Sequence, residues 1–378
     1  MNSRERVLTA LNHQEPDRVP LYFGGTSSFL TDTAYYKLKE YLGIHGDVEP
    51  YRTGHTGNIF DQRILAALDV DVRFVVMKIG IDVRRVDEHT ILSDWGIPLR
   101  KVDGYGVRTG PPFSDIDVEK EGEVNRAIEA HPWPNPYDSR RIEGLEEYAR
   151  ELQKSEKAIV ARSPQSASFL EYGCWLRGDT NFYIDLILHK PFVEKLLDKI
   201  LDVQIQFYDA LLNITGKYLD IVETAEDYGT QSSLLISPET FREFIKPRRK
   251  KINDFIKGKC PQVKVLHHSC GAIAGIIDDL IETGVDVINP LQPKAERMDP
   301  VRIKTQFGAR TCFCGGIDMQ EAMVGDLRQV EDEVRLRIAQ LAPGGGYLLC
   351  TSNHVQRDIP PENVVALFKR AGEYGVYG

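Results

Sequence analysis

Apolar and polar positions fall into two regimes along this chain. Residues 3–11 carry apolar side chains at a helical spacing, with Asn2 or Ser3 to cap them and Glu5 and Arg6 in the first turn. Pro16 and Pro20 close that segment. The run 19–23 predicts a short strand ending at Gly24-Gly25, and 33–42 predicts a second helix. From about 45 to 135 the pattern is irregular, with β-like pieces at 70–74 and 75–79 and turn-rich stretches such as Gly104-Tyr105-Gly106 and 132–136. No flexible Gly/Ser linker sets this region apart, so it predicts a cap or insertion, not an independent domain.

Beyond residue 140 the chain alternates. The spacing predicts helices over 144–154, 191–212, 238–256, 271–284, 300–307, 325–341 and 361–374. Between them it predicts strands over 158–162, 218–224, 263–267, 286–289, 311–313 and 347–350. Strands alternating with helices of this length imply parallel βαβ units. Together with 19–23 they approach the eight of a (β/α)₈ TIM-type barrel, an α/β fold with an N-terminal cap, built as one domain over 1–378. A doubly wound sheet is the competing architecture. No Gly-rich dinucleotide fingerprint follows any predicted strand, and Gly344-Gly345-Gly346 precedes one, which favours the barrel.

Composition narrows the function. The chain has 56 acidic against 47 basic residues, a formal net charge of −9, and lacks the basic stripe that phosphate-backbone binding needs. A nucleic-acid partner is therefore not expected. No apolar run reaches the ~18 residues of a membrane span, and the first residues lack the apolar core of a secretory signal, so no membrane association is expected. Six cysteines in 378 residues are too few for a disulfide framework, which points to a reducing, cytoplasmic setting. Four of them (Cys270, Cys312, Cys314 and Cys350) lie in the last third.

Barrel chemistry sits at the C-terminal ends of the strands. There the sequence places Glu223 and Asp227, then His267, His268 and Cys270, then Asn289, then Cys314 and Asp318, then Cys350 and His354. In an extended chain His268 and Cys270 point the same way, so an imidazole nitrogen and a thiolate can reach one zinc ion. Cys350 or His354 can complete a three-ligand site, and Cys314 is a further candidate. The plain alternative makes Cys270 a small buried hydrophobe and His268 a hydrogen-bonded core residue. Glu223 and Asp227 are candidates for ligand-orienting or proton-handling carboxylates. Tyr22 to Thr26, with Arg162, Ser163 and Gln165, form a polar patch suited to substrate; Arg84 and Arg85 are read as solvated charge.

These residues resemble the uroporphyrinogen decarboxylase superfamily, which holds the decarboxylase of haem biosynthesis and zinc-dependent methyltransferases that exchange methyl groups with corrinoid proteins. The resemblance rests on Ser3-Arg4-Glu5-Arg6-Val7 with Glu15-Pro16-Asp17-Arg18-Val19-Pro20, on Asp227-Tyr228-Gly229-Thr230-Gln231 with Ile236-Ser237-Pro238, and on His268-Ser269-Cys270-Gly271. It extends to Gly315-Gly316-Ile317-Asp318 and to Gly344 through Asn363. Residues 21–27 hold no arginine where the decarboxylases carry an Arg-rich motif, so decarboxylation of uroporphyrinogen is not expected. The methyltransferase branch is similar through its H-x-C motif and a late cysteine, whose place falls at Asn353, between Cys350 and His354. That branch implies zinc on His268, Cys270 and Cys350, with Glu223, Asp227 and His354 as catalytic groups. It also implies a small-molecule methyl donor or acceptor and a corrinoid carried by a separate protein, and it is compatible with a homodimer. The alternatives are a metal-free carboxy-lyase using Asp227 and His354 for proton transfer, and a non-catalytic binding barrel.

Overall fold

The computed structural model describes residues 1–378 apart from 27, 54, 103, 104 and 166. Its centre is one parallel sheet of β1 (Val72–Val75), β2 (Ala158–Ala161), β3 (Ile221–Ala225), β4 (Lys264–His268), β5 (Val287–Leu291), β6 (Cys312–Ile317) and β7 (Tyr347–Thr351), ordered as in the chain. Strands such as β3, β5, β6 and β7 are buried at every position, because helices cover one face and the curled sheet fills the other. The helices Lys190–Thr215, Lys246–Lys259, Pro300–Phe307, Leu327–Leu341 and Pro361–Tyr374 lie in the connections, as the alternation requires. Among the described residues no helix is long and apolar enough to cross a membrane.

The eight strands expected from the sequence become seven plus a short contact. Residues 19–23 meet β7 through a single parallel bridge, Leu21 to Leu349, flanked by Tyr22 N–H to Leu349 O (2.9 Å) and Leu349 N–H to Pro20 O (2.9 Å). On the other side Asp71 N–H donates to Leu21 O at 2.9 Å, beside β1. The pairing cannot lengthen: Pro20 has no N–H, and Gly24 turns away at φ 119°, where a Cβ would press 2.6 Å from the Phe74 ring.

The cap is more regular than its sequence. Arg84–Arg85, Thr90–Leu92, Pro98–Val102 and Tyr105–Arg108 form a four-stranded antiparallel sheet. Its strands show no buried-against-exposed alternation, which is why no period of two marks it in the sequence. The piece at 72–75, read as part of the cap, belongs to the central sheet. Helices Phe169–Arg177 and Asp179–Leu188 appear between β2 and the long helix, where none was expected. The expected helix at 238–256 is continuous but passes through a π-turn at Phe241–Ile245, next to Pro247, which has no N–H to give to the preceding turn. The expected helix at 271–284 shortens to a 3₁₀ turn, Ala274–Ile276, and the helix Ile277–Glu282.

One buried carboxylate ties the amino-terminal segment to the sheet. Asp71, fully buried, accepts hydrogen bonds from Ser3 Oγ (2.7 Å), Arg6 Nη1 (2.7 Å), Arg18 Nη1 (2.7 Å) and Nη2 (3.1 Å), and Leu21 N (2.8 Å). Arg6 also grips Asp17 through Nε (2.6 Å) and Nη2 (2.7 Å). Asp220, buried at the start of β3, likewise accepts from Arg4 Nε (3.0 Å) and Ile159 N (3.0 Å). Replacing Asp71 by Ala removes the buried carboxylate that two largely buried guanidinium groups share, so Asp71→Ala is expected to lose about 3–5 kcal/mol of unfolding free energy in urea titration. A loss under about 1 kcal/mol, the ordinary value of an exposed pair, would remove this carboxylate from its structural role.

Candidate metal centre

Strand register brings the donor groups together. Ala225 of β3 lies opposite His268 of β4, which lies opposite Asn289 of β5. The two strand ends then run on side by side. Glu226 N–H donates to His268 O (2.9 Å), Tyr228 N–H to Ser269 Oγ (3.0 Å), and Ala272 N–H to Thr230 O (2.8 Å). Two glycines permit this approach. A Cβ on Gly229 would stand 2.8 Å from Ala272 N, and one on Gly271, at φ 88°, would collide with the backbone of Gly229.

Within this frame Asp227, His268 and Cys270 offer ligand atoms that all lie within 4.8 Å of one another. His268 Nε2 is 3.4 Å from Cys270 Sγ and 3.5 Å from Asp227 Oδ1. Tetrahedral zinc with bonds of about 2.0–2.3 Å needs ligand-to-ligand edges of about 3.3–3.8 Å, which the nitrogen–sulfur and nitrogen–oxygen edges here already meet. Each donor is held from behind. His268 Nδ1–H donates to Asn289 Oδ1 at 2.8 Å, which leaves Nε2 directed at the group. Cys270 N–H donates to Asp227 Oδ1 at 2.8 Å, Asp227 N–H to Glu171 Oε2 at 3.3 Å, and Gly271 N–H to Gln292 Oε1 at 2.8 Å.

The charges are coupled. Burial opposes a cationic His268, but the Cys270 sulfur and the Asp227 carboxylate lift its pKa well above the ordinary value. Burial also opposes an ionised Asp227, and His268 outweighs it, holding that carboxyl below the usual range. Burial, with Asp227 adding to it, pushes the Cys270 thiol up. Without a cation the group is an imidazolium–carboxylate pair beside a thiol, and a divalent cation takes the place of protons.

The other expected residues lie around this centre. Cys350 is fully buried, 3.9 Å from Thr351 Oγ1 and beside the Cys314 thiol, and lies outside the group of three, in which the Asp227 carboxylate stands with His268 and Cys270. The reason is register: Cys350 pairs with Gly316 inside the sheet, whereas Cys270 lies past the end of its strand. Asn353, at the place of the family's late cysteine, donates from Nδ2 to Cys270 Sγ at 3.4 Å. His354 Nδ1 accepts from Phe29 N–H at 3.2 Å, so its hydrogen sits on Nε2. Burial, then Arg52, Arg162 and His268, keep its pKa well below the ordinary range. Glu223 is 1% exposed and not at an open mouth; it accepts from Tyr22 OH (2.7 Å), Thr26 N (3.0 Å) and Thr26 Oγ1 (2.7 Å). Arg84 and Arg85 are exposed, as read.

Sequence reading passed over two acids. Glu226, fully buried, accepts from Tyr228 OH (2.7 Å) and Arg249 Nη2 (3.3 Å), and burial raises its pKa to about 7. Glu171, on a helix that was not expected, is pushed well above the usual carboxylate range by burial and by the neighbouring Asp227 and Glu226. For Glu226 the run Glu226-Asp227-Tyr228 next to a strand end was a usable signal; for Glu171 there was none.

The family model described as uroporphyrinogen decarboxylase (URO-D) matches residues 167–374. The curated "Methylcobamide:CoM methyltransferase MtaA" of Methanosarcina barkeri is 26% identical over 211 residues, 53% of this chain and 57% of that protein. The protein of the same name from the Fusaro strain is 25% identical over the same extent. This chain thus spans 57% of the length of those relatives. A solved structure, "methyltransferase from Methanosarcina mazei", superposes with a TM-score of 0.66 at 18% identity, covering 99% of both chains, and shares the fold.

Asn289 fixes the ring that would hold a cation, so Asn289→Ala is expected to weaken zinc affinity about 10–100-fold in competition with a chromophoric chelator. Unchanged affinity in the folded variant would mean that His268 is oriented by something else.

Proposed function

The chain belongs to the uroporphyrinogen decarboxylase family, and from that premise we propose that it is a zinc-dependent methyltransferase component, moving a methyl group between a small substrate and a corrinoid carried by a partner protein. The observation that carries this reading is the convergence of His268, Cys270 and Asp227, whose ligand atoms lie within 4.8 Å of one another, with Asn289 behind the imidazole. The relatives named for methylcobamide methyl transfer point the same way. Nitrogen, thiolate and carboxylate donors suit zinc, and three protein ligands leave a position for substrate.

When bound, zinc supplies Lewis acidity that keeps a substrate sulfur or oxygen anionic at neutral pH. The protein's own groups do the rest. Asn289 holds the His268 ring with Nε2 inward, and Asp227 Oδ1 both accepts from the Cys270 amide and faces that nitrogen. Neutral His354 is a hydrogen-bond donor at Nε2, suited to a leaving or arriving proton at the substrate. Glu223, engaged by three donors, positions Tyr22 and Thr26.

Protein purified without chelator is expected to hold about one zinc per chain by elemental analysis, and Cys270→Ser to lose it. With methylcobalamin as donor and a small thiol as acceptor, loss of the cobalt–methyl absorbance is expected to slow at least about 100-fold in that variant. Metal-free protein that still transfers methyl, or a Cys270→Ser variant as active as the parent, would sink the reading. Carbon dioxide release from a carboxylated substrate would transfer it to the lyase chemistry of the family.

A further inference from the structure

At the sheet end that carries the metal group lies a set of buried side-chain donors, several of whose atoms have no acceptor among the described residues. Arg52 and Arg162 are 4% and 3% exposed. Arg52 gives Nε to Gly57 O (2.7 Å), but its Nη2 has no partner. Arg162 gives Nη2 to Gly25 O (3.0 Å) and Thr26 O (3.1 Å), while its Nε and Nη1 have none. Gln165 uses Oε1 for Trp95 Nε1 (2.9 Å) and Tyr172 OH (2.6 Å), leaving Nε2 without a partner. Among the described residues neither arginine pairs with a carboxylate. The nearby acids are engaged elsewhere: Glu223 with Tyr22 and Thr26, and Asp32 with Asn58 N (2.6 Å) and Nδ2 (2.7 Å).

The two guanidinium groups are neighbours, since both lie over the Tyr51 ring, at 5.0 and 4.9 Å from its centroid; Arg162 also lies 5.1 Å from that of Phe60. Burial, together with repulsion from Arg162, lowers the pKa of Arg52 to about 10. A concave site lined by Arg52, His55, Trp95, Gln165, Tyr172 and Trp175 opens beside them, roofed by the cap. The link to the reaction centre is short. Arg162 directly follows β2 at the sheet end that carries the metal group, and it holds the Thr26 loop that Glu223 also holds. Arg52 holds Gly57, which packs on Leu30, next to the Phe29 amide bound by His354.

Unpaired cations are costly to bury, and every unmatched side-chain atom on Arg52, Arg162 and Gln165 is a donor, so the complementary group is an anion. We infer that Arg52, Arg162 and Gln165 form a receptor for the anionic group of the small substrate, a carboxylate, sulfonate or phosphate, whose far end reaches the metal group. The reacting end rests on the proposed function; the anion receptor does not. The positive charge missing from 21–27 is supplied from residues 52 and 162, far away in sequence, and the cap gains a role as the wall of the substrate site.

The test is calorimetric titration of the full-length protein with propionate, propanesulfonate, inorganic phosphate and, as a neutral control, 1-propanol. One anion is expected to bind, and its identity assigns the chemical class; 1-propanol is expected not to bind. Arg52→Met and Arg162→Met, with Arg52→Gln and Arg162→Gln as polar counterparts, are expected to weaken that anion at least about tenfold. The ligand-free methionine variants are expected to stay folded, relief of the unpaired buried charge offsetting the lost bonds to the Gly57, Gly25 and Thr26 carbonyls. Cys270→Ser is expected to lose zinc yet bind the anion within about twofold of the parent, which separates failure of this inference from failure of the metal reading. Equal binding of 1-propanol, no binding of any anion, or folded arginine variants that bind as the parent does would overturn it.

Discussion

The fold depends on a carboxylate that no solvent reaches. Asp71 sits just before β1 and gathers Ser3, Arg6, Arg18 and the Leu21 amide. Five hydrogen bonds, three of them from guanidinium nitrogens, offset the cost of burying its charge. Its effect is topological. The gap between β7 and β1 is spanned by one residue pair on the β7 side, and a contact that short does not hold two sheet edges by backbone bonding alone. The ion network supplies what the ladder lacks, and so holds Tyr22 and Thr26 against Glu223 at the opposite end of the same segment.

At that end the logic changes from closing the sheet to aiming side chains. Neighbouring parallel strands put Ala225, His268 and Asn289 in a row, so the imidazole has an amide oxygen beside it without any loop having to find it. The loops add the other donors. The Asp227 carboxylate caps the Cys270 amide, which fixes oxygen and sulfur on the same side of the ring. Rigid strands thus hold the nitrogen, and hydrogen-bonded loops hold the oxygen and the sulfur.

Much of this was legible beforehand, for identifiable reasons. The alternation after residue 140 is visible because buried parallel strands are apolar runs between amphipathic helices. His268 and Cys270 stand out because period-two geometry aims both one way from a strand end. The Ser3–Arg6 and Asp17–Arg18 motifs were noticed, but Asp71, which gives them their purpose, was not, since a lone aspartate between valines has no local signature. Cys350 attracted attention as a late thiol, yet register puts it inside the sheet; no spacing rule distinguishes a thiol on a strand from one just past its end. Arg162 stands out at a strand end, within the polar patch read as suited to substrate, whereas Arg52 is opaque, because an arginine on a loop reads as solvated until its surroundings are known.

The glycine pair at 229 and 271 has a consequence for how the centre works. Backbone lies directly on backbone there, so the strand-end segments bearing the carboxylate and the thiol behave as one welded block. Neither segment can shift without the other, so local change there is left to rotation of individual side chains on a fixed scaffold, and larger change of shape is left to the antiparallel roof of the cap.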